Sequence, residues 1–232
     1  VSAVTFAFGK TLSVLQFLLA LGVACGAVYF GARKRMGGER KRIVFLFCCI
    51  LLLLIVSILI SGFYYDLSHD GRLYHQNSII QLATGWSPFI APYHPDGYIG
   101  SYKPLRPSIW SVVYPKSGEL CAASLYKVTG NIQHGKAFNI MLLVSSFFLA
   151  LAALLKLTRL KIKTAILYAA LLGLNPVTFC MLFSYYIDGQ LASVLLILFA
   201  LAAIILKRSG TQELKENDAT GWMYLSVLGL AL

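Results

Sequence analysis

The stretch "IVFLFCCILLLLIVSILISGF", residues 43–63, runs for 21 residues without a charged side chain. A helix of that length covers about 30 Å, which is the thickness of the hydrocarbon core of a bilayer. The basic sequence RKRMGGERKR (33–42) precedes it, and a segment with aspartates and histidines follows it. The stretch therefore predicts a membrane-spanning helix with a basic connection at one end and a polar segment at the other.

Similar apolar runs recur on both sides of this stretch. They cover Leu12–Ala32, Ala137–Leu155, Thr164–Tyr185, the shorter Leu191–Leu206, and the sequence from Trp222 onward. With 58% hydrophobic residues and a mean hydropathy of +0.74, the chain is more apolar than a soluble domain requires. The sequence predicts an all-α polytopic membrane protein. Because it begins at Val1 and stops inside an apolar run, we expect it to be part of a longer protein.

Charge assigns a side of the membrane to each connection. Three short connections, at 33–42, 156–163 and 207–217, hold 13 of the 20 lysines and arginines. By the positive-inside rule these connections face the cytoplasm, which places the N-terminus, the segment 64–136 and the turn 187–190 on the outer side. The net charge of +11 is then largely a topology signal, and we expect no nucleic-acid partner.

The outer segment 64–136 carries most of the polar chemistry. It holds all four histidines and four of the nine acids. The histidines, at positions 69, 75, 94 and 134, follow no usual zinc-site spacing. Its tryptophans and tyrosines are typical of the headgroup boundary, and they also suit stacking on sugar rings.

Two helices are expected within this segment. The first runs from Asp70 as N-cap to Thr84, with Gly85 as its stop, and its apolar and polar halves are typical of a helix on the membrane surface. The second runs over Gly118–Lys127. Residues 87–108, which hold five of the seven prolines, predict an irregular loop.

Each outer acid has two interpretations. Asp66 can end the span, and Asp70 can cap the surface helix, or one of them can be a catalytic carboxylate. Asp188, in an Asp-Gly turn, can cap the next helix, or it can converge with the loop acids on a ligand or metal. Lys116 is either a phosphate contact or a solvated lysine.

A family resemblance rests on two stretches, "DLSHDGRLYHQNSIIQLATGWSP" (66–88) and "NPVTFCMLFSYYIDGQLAS" (175–193). A span followed by an outer loop with a surface helix, and a later acid at the next outer turn, resembles the GT-C glycosyltransferases. These multi-span enzymes include protein mannosyltransferases, lipid A aminoarabinose transferases and oligosaccharyltransferases. The resemblance covers about Ile43 to Leu206, so that 43–232 forms the N-terminal part of a GT-C-like domain and 1–42 an additional span with its basic loop.

The resemblance implies a donor sugar on a polyprenyl phosphate or diphosphate and a glycan, lipid or protein acceptor. Asp70, or else Asp66, is then the general base, and Asp188 orients the acceptor or shares a divalent ion, Mg²⁺ or Mn²⁺, with Asp70. The remaining substrate-binding positions that it implies are Arg72, His75 and Lys116 for the phosphate, and Tyr74, Trp86, Tyr114 and Gln190 for the rest of the substrates. The location that we expect is a bacterial plasma membrane.

Two other classes of protein remain open. A flippase or transporter of lipid-linked glycans would share the topology, but ion-coupled transport favours ionisable residues in mid-span, and the spans here carry essentially none. A membrane interaction subunit would not need acids in both outer turns.

Overall fold

The computed structural model describes residues 6, 8, 10–35, 39–88 and 110–210 of the chain. These residues contain helices and no strand, which confirms the all-helical prediction. The elements are α1 Val14–Arg35, α2 Arg40–Phe63, a π-helical turn Gly71–His75 continuing into α3 Gln76–Thr84, α4 Trp110–Val113, α5 Ser117–Thr129, a 3-10 turn Ile132–Lys136 continuing into α6 Ala137–Leu157, α7 Ile162–Gly173, α8 Pro176–Cys180 and α9 Asp188–Gly210.

Four helical segments are long and apolar enough to cross a membrane. They are Val14–Lys34, Arg40–Phe63, Ile132–Leu157 and Asp188–Lys207. At most 33% of the most apolar window of any of them is buried within the protein, so most of these side chains face outward. Such surfaces suit a lipid environment and are consistent with an integral membrane protein.

The fourth predicted span, Thr164–Tyr185, is wrong as a single helix. α7 ends at Gly173, and α8 starts anew at Pro176 with Asn175 as its cap, whose side chain accepts a hydrogen bond from the Thr178 N–H at 3.0 Å. Proline lacks an N–H group and suits the first position of a helix. The fifth predicted span, in contrast, is longer than expected, because α9 has 23 residues. The sixth lies outside the described residues.

The chain divides into two compact units, the first with residues 1–138 and 183–186 and the second with 139–182 and 187–232. The core of the first unit joins α3, α5 and the segment 183–186, which belongs to this unit although the residues before and after it belong to the second. Its buried members include Ile79, Leu82, Trp86, Ala122, Ala123 and Tyr185. This unit contains most of the predicted site residues. The domain boundary expected after residue 42 stays a prediction.

In the second unit, α6 and α9 lie side by side in parallel. Near their N-terminal ends the Gln190 amide donates to Asn139 Oδ1 at 2.7 Å, and near their C-terminal ends Lys207 Nζ donates to the Lys156 carbonyl at 2.9 Å. Buried alanine and isoleucine side chains, including Ala153, Ile197 and Ala200, fill the space along the pair. The segment that holds α7 and α8 therefore returns from the basic end of this pair to the other end.

Candidate functional site

Asp66 is a buried carboxylate that ties three parts of the first unit together. Its Oδ1 accepts the backbone N–H of Ser68 at 2.9 Å, and its Oδ2 accepts that of Tyr185 at 2.8 Å. Its own N–H donates to Gln133 Oε1 at 3.0 Å. Only 4% of Asp66 is exposed. A buried carboxylate with both oxygens engaged in this way has the features of a structural anchor.

Asp70 has a different environment, although it lies only four residues away. It is partly exposed, and the Tyr74 hydroxyl donates to its Oδ2 at 3.2 Å. The prediction that Asp70 caps the helix is wrong, because its backbone is already helical and its side chain makes no capping bond. Ser68 caps the turn instead, since its hydroxyl accepts the N–H of Gly71 at 3.2 Å and its carbonyl accepts that of Arg72 at 3.2 Å. His69 and Asp70 are already helical, so the Asp70 carboxylate lies on the side of the helix.

Tyr74 is buried beside this carboxylate. Burial raises the pKa of its phenol, and the neighbouring charge of Asp70 raises the pKa further. The phenol therefore keeps its proton and remains a hydrogen-bond donor to Asp70. Its ring stacks on that of Tyr114 with the centroids 5.3 Å apart, so two predicted site residues, Tyr74 and Tyr114, are brought together.

A buried ionic cluster lies next to these rings. His75 Nδ1 is 3.0 Å from Glu119 Oε1, and Lys116 Nζ is 3.0 Å from Glu119 Oε2. The side chains of His75 and Glu119 are each 2% exposed. The cluster connects the π-helical turn with the first turn of α5, where a carboxylate also complements the helix dipole.

Glu119 was not among the residues predicted for the site, and its two partners, His75 and Lys116, were predicted to bind phosphate. Lys116 also donates to the Tyr114 carbonyl at 2.8 Å and has a side chain that is 12% exposed, so it is not a solvated lysine. The i,i+3 spacing of Lys116 and Glu119 was the available signal for an ion pair. Nothing in the sequence indicated that His75, 44 residues before Glu119, would complete it.

Arg72 and His69, in contrast, face a surface cavity of about 420 Å³. Both side chains are exposed. The lining residues are Leu67, His69, Arg72, Leu73, Gln76, Asn77 and Ile80. One permanent cation, an imidazole and two amides over an apolar floor suit phosphate oxygens and hydroxyl groups. The cavity begins four residues beyond the last residue of α2.

The helix that carries this cavity differs from the predicted surface helix. Gly85, with a φ of +122°, ends it as expected, and Ile79 and Leu82 are buried on its apolar side. However, Ser78 and Gln81 on the predicted polar half are buried as well. The reason is that neighbouring elements cover this half, and Ser78 donates to the Ser111 carbonyl at 3.4 Å. Trp86 lies in the core of this unit.

Asp188 and Gln190 belong to the second unit. Asp188 is exposed and is the first residue of α9, whereas Gln190 donates to Asn139 as described above. The described part of the chain contains no group of three or more histidine, cysteine, aspartate or glutamate side chains arranged to hold a metal ion. In the first unit, Asp66 and Glu119 already have N–H and cationic partners, so these acids do not fit a divalent ion.

Comparisons with protein-family models, with curated proteins and with solved structures found no match to this chain.

Proposed function

We propose that this protein is a membrane glycosyltransferase that moves a sugar from a polyprenyl-phosphate or polyprenyl-diphosphate donor to an acceptor hydroxyl on the extracytoplasmic face. One observation carries the proposal. Just beyond the end of an apolar span, a single helical turn presents a partly exposed carboxylate, Asp70. Two residues further on, Arg72 lines the surface cavity described above, of which Asp70 is not a lining residue.

The chemistry assigns a separate role to each group. Asp70 accepts the proton of the acceptor hydroxyl while its oxygen forms a bond to the anomeric carbon and the bond from that carbon to the donor phosphate breaks. The Tyr74 hydroxyl holds the carboxylate in place. Arg72, with His69 beside it, stabilises the negative charge that develops on the departing phosphate. His75 and Lys116 act indirectly, by fixing the turn through Glu119.

The surroundings also suit a lipid-borne donor. Phe63 is the last residue of α2, Tyr65 follows it, and Leu67 lines the cavity; the three side chains are 76–80% exposed. Exposed apolar and aromatic side chains at the end of a span belong at the hydrocarbon boundary. A polyprenyl chain beside them would bring its phosphate to the depth of Arg72.

The test is transfer of radiolabelled sugars from a panel of polyprenyl-phosphate donors by membranes that express the protein. Asp70→Asn keeps the size of the side chain and removes the base, so we expect transfer to fall at least about a hundredfold. Asp188→Asn tests in the same assay the acceptor-orienting role that the family resemblance implies for Asp188. Glu39→Gln is the matched control, since Glu39 is an exposed acid in the basic connection and pairs with Arg42 three residues later.

Folding of each variant is compared by its elution in size-exclusion chromatography. Loss of transfer in Asp70→Asn but not in Glu39→Gln supports the proposal. Full transfer by Asp70→Asn, or no transfer by the wild type from any donor, contradicts it.

A further inference from the structure

A second cavity lies between α1 and α2, at the end where the basic connection joins them. Its volume is about 490 Å³. It is lined by Tyr29 and Arg33 from α1 and by Arg40, Ile43, Val44 and Phe47 from α2. Each helix thus contributes one guanidinium group. The first helix adds the Tyr29 phenol, and Ile43, Val44 and Phe47 of α2 form an apolar wall.

The position of the cavity is the boundary between hydrocarbon and water. Phe30 and Phe45, on the helix surfaces beside it, are 69% and 71% exposed, as expected for side chains that face lipid tails. Arg33 begins the basic run RKR at the C-terminal end of α1, and Arg40 begins the same run at the N-terminal end of α2. A ligand here meets headgroup chemistry at the arginines and hydrocarbon along the apolar wall of α2.

The charge in the cavity is not balanced by the lining residues that the structure describes, since none of them is acidic. Glu39, the acid of the connection, is paired with Arg42 at 2.7 Å. Each guanidinium group presents a rigid fork of N–H donors that can bind two phosphate oxygens at once, and the cavity has one such group from each helix. Basic pockets between spans on the positively charged side are typical sites for anionic lipid headgroups.

We propose that this cavity binds the headgroup of an anionic phospholipid that carries two negative charges, such as a lipid with two phosphate groups. Arg33 and Arg40 hold the phosphate oxygens, and the Tyr29 hydroxyl donates a further hydrogen bond. An acyl chain lies along Ile43, Val44 and Phe47. Free phosphate would satisfy the arginines but leave the apolar wall without a partner, so a lipid is the better match. This site is independent of glycosyl transfer.

The experiment is native mass spectrometry of the purified protein, titrated separately with cardiolipin, phosphatidylglycerol and phosphatidylcholine, and with inorganic phosphate as a competitor. The test variant is Arg33→Gln with Arg40→Gln. The matched control is Lys34→Gln with Lys41→Gln, which removes the same charge from exposed residues that do not line the cavity. Unfolding midpoints without added anionic lipid show whether either variant is damaged.

We expect cardiolipin to bind the wild type more tightly than phosphatidylglycerol does, and the arginine variant to lose at least about tenfold in affinity. The lysine variant should stay within about twofold. Equal losses in both variants would mean diffuse attraction to the basic connection and would overturn the proposal. Undiminished binding by the arginine variant, or displacement of the lipid by inorganic phosphate, would overturn it as well.

Discussion

Gly71 has no side chain at a point where Asp66 fills the adjacent space. A Cβ atom at this position would lie 2.0 Å from Asp66 Oδ2 and 2.4 Å from the Ser68 hydroxyl oxygen. Both of these atoms are fixed by hydrogen bonds to the backbone. The glycine thus allows the π-helical turn to approach the buried anchor, and π-helical turns are frequent at functional sites.

We predict that Gly71→Ala destabilises the protein by about 2 kcal/mol, because the methyl group must displace a carboxylate that holds three chain segments. The measurement is the midpoint of thermal unfolding in detergent micelles. Gly26→Ala is the control, since no atom lies within 4 Å of a Cβ placed there. A similar midpoint for both variants would show that Asp66 moves aside at little cost.

The acids of the segment 64–136 show what the sequence can predict at this scale. Sequence reasoning singled out both Asp66 and Asp70 as candidate catalytic acids. It did not distinguish the anchored Asp66 from the more exposed Asp70, since that difference comes from Gln133 and Tyr185, more than 60 residues away. Long-range contacts of this kind leave no local pattern.

At the scale of the elements, local signals predicted the helices well except in one place. The uncharged run at 43–63 became α2, and Gly118–Lys127 became α5 with about one residue more at its start and two at its end. The run Thr164–Tyr185 was predicted as one span because its hydropathy is high throughout. The Asn-Pro pair at 175–176 was a contrary signal, because such a pair commonly starts a new helix. The break was therefore visible in the sequence.

We predict that Asn175→Ala destabilises the second unit by about 1 kcal/mol, because the N–H of Thr178 loses its side-chain acceptor. Asn175→Ser should restore most of the loss, since serine also caps helices well. Unfolding midpoints in detergent micelles measure both effects. If alanine and serine give the same midpoint, the cap does not stabilise α8.

For the whole molecule, the direction in which each helix crosses the membrane depends on the segment that holds α7 and α8, called here the broken segment. α7 has 12 residues and reaches only about 18 Å, less than a bilayer core. Yet the parallel pairing of α6 and α9 requires the chain to return to the other end of that pair before Asp188. The positive-inside rule gives the same answer, because basic residues follow both α6 and α9.

We predict that the C-terminal ends of α6 and α9 face the same side of the membrane, because α7 and α8 together carry the chain back across it. Thr158→Cys and Leu206→Cys, both at exposed positions near these ends, are introduced singly after the five native cysteines are replaced. A membrane-impermeant maleimide should label neither in intact cells and both after permeabilisation. Ser117→Cys, at an exposed position in the segment 64–136, is the control that we expect to be labelled without permeabilisation. Labelling of Thr158→Cys and Leu206→Cys from opposite sides would contradict the prediction. It would mean that α7 and α8 enter and leave the membrane on the same side.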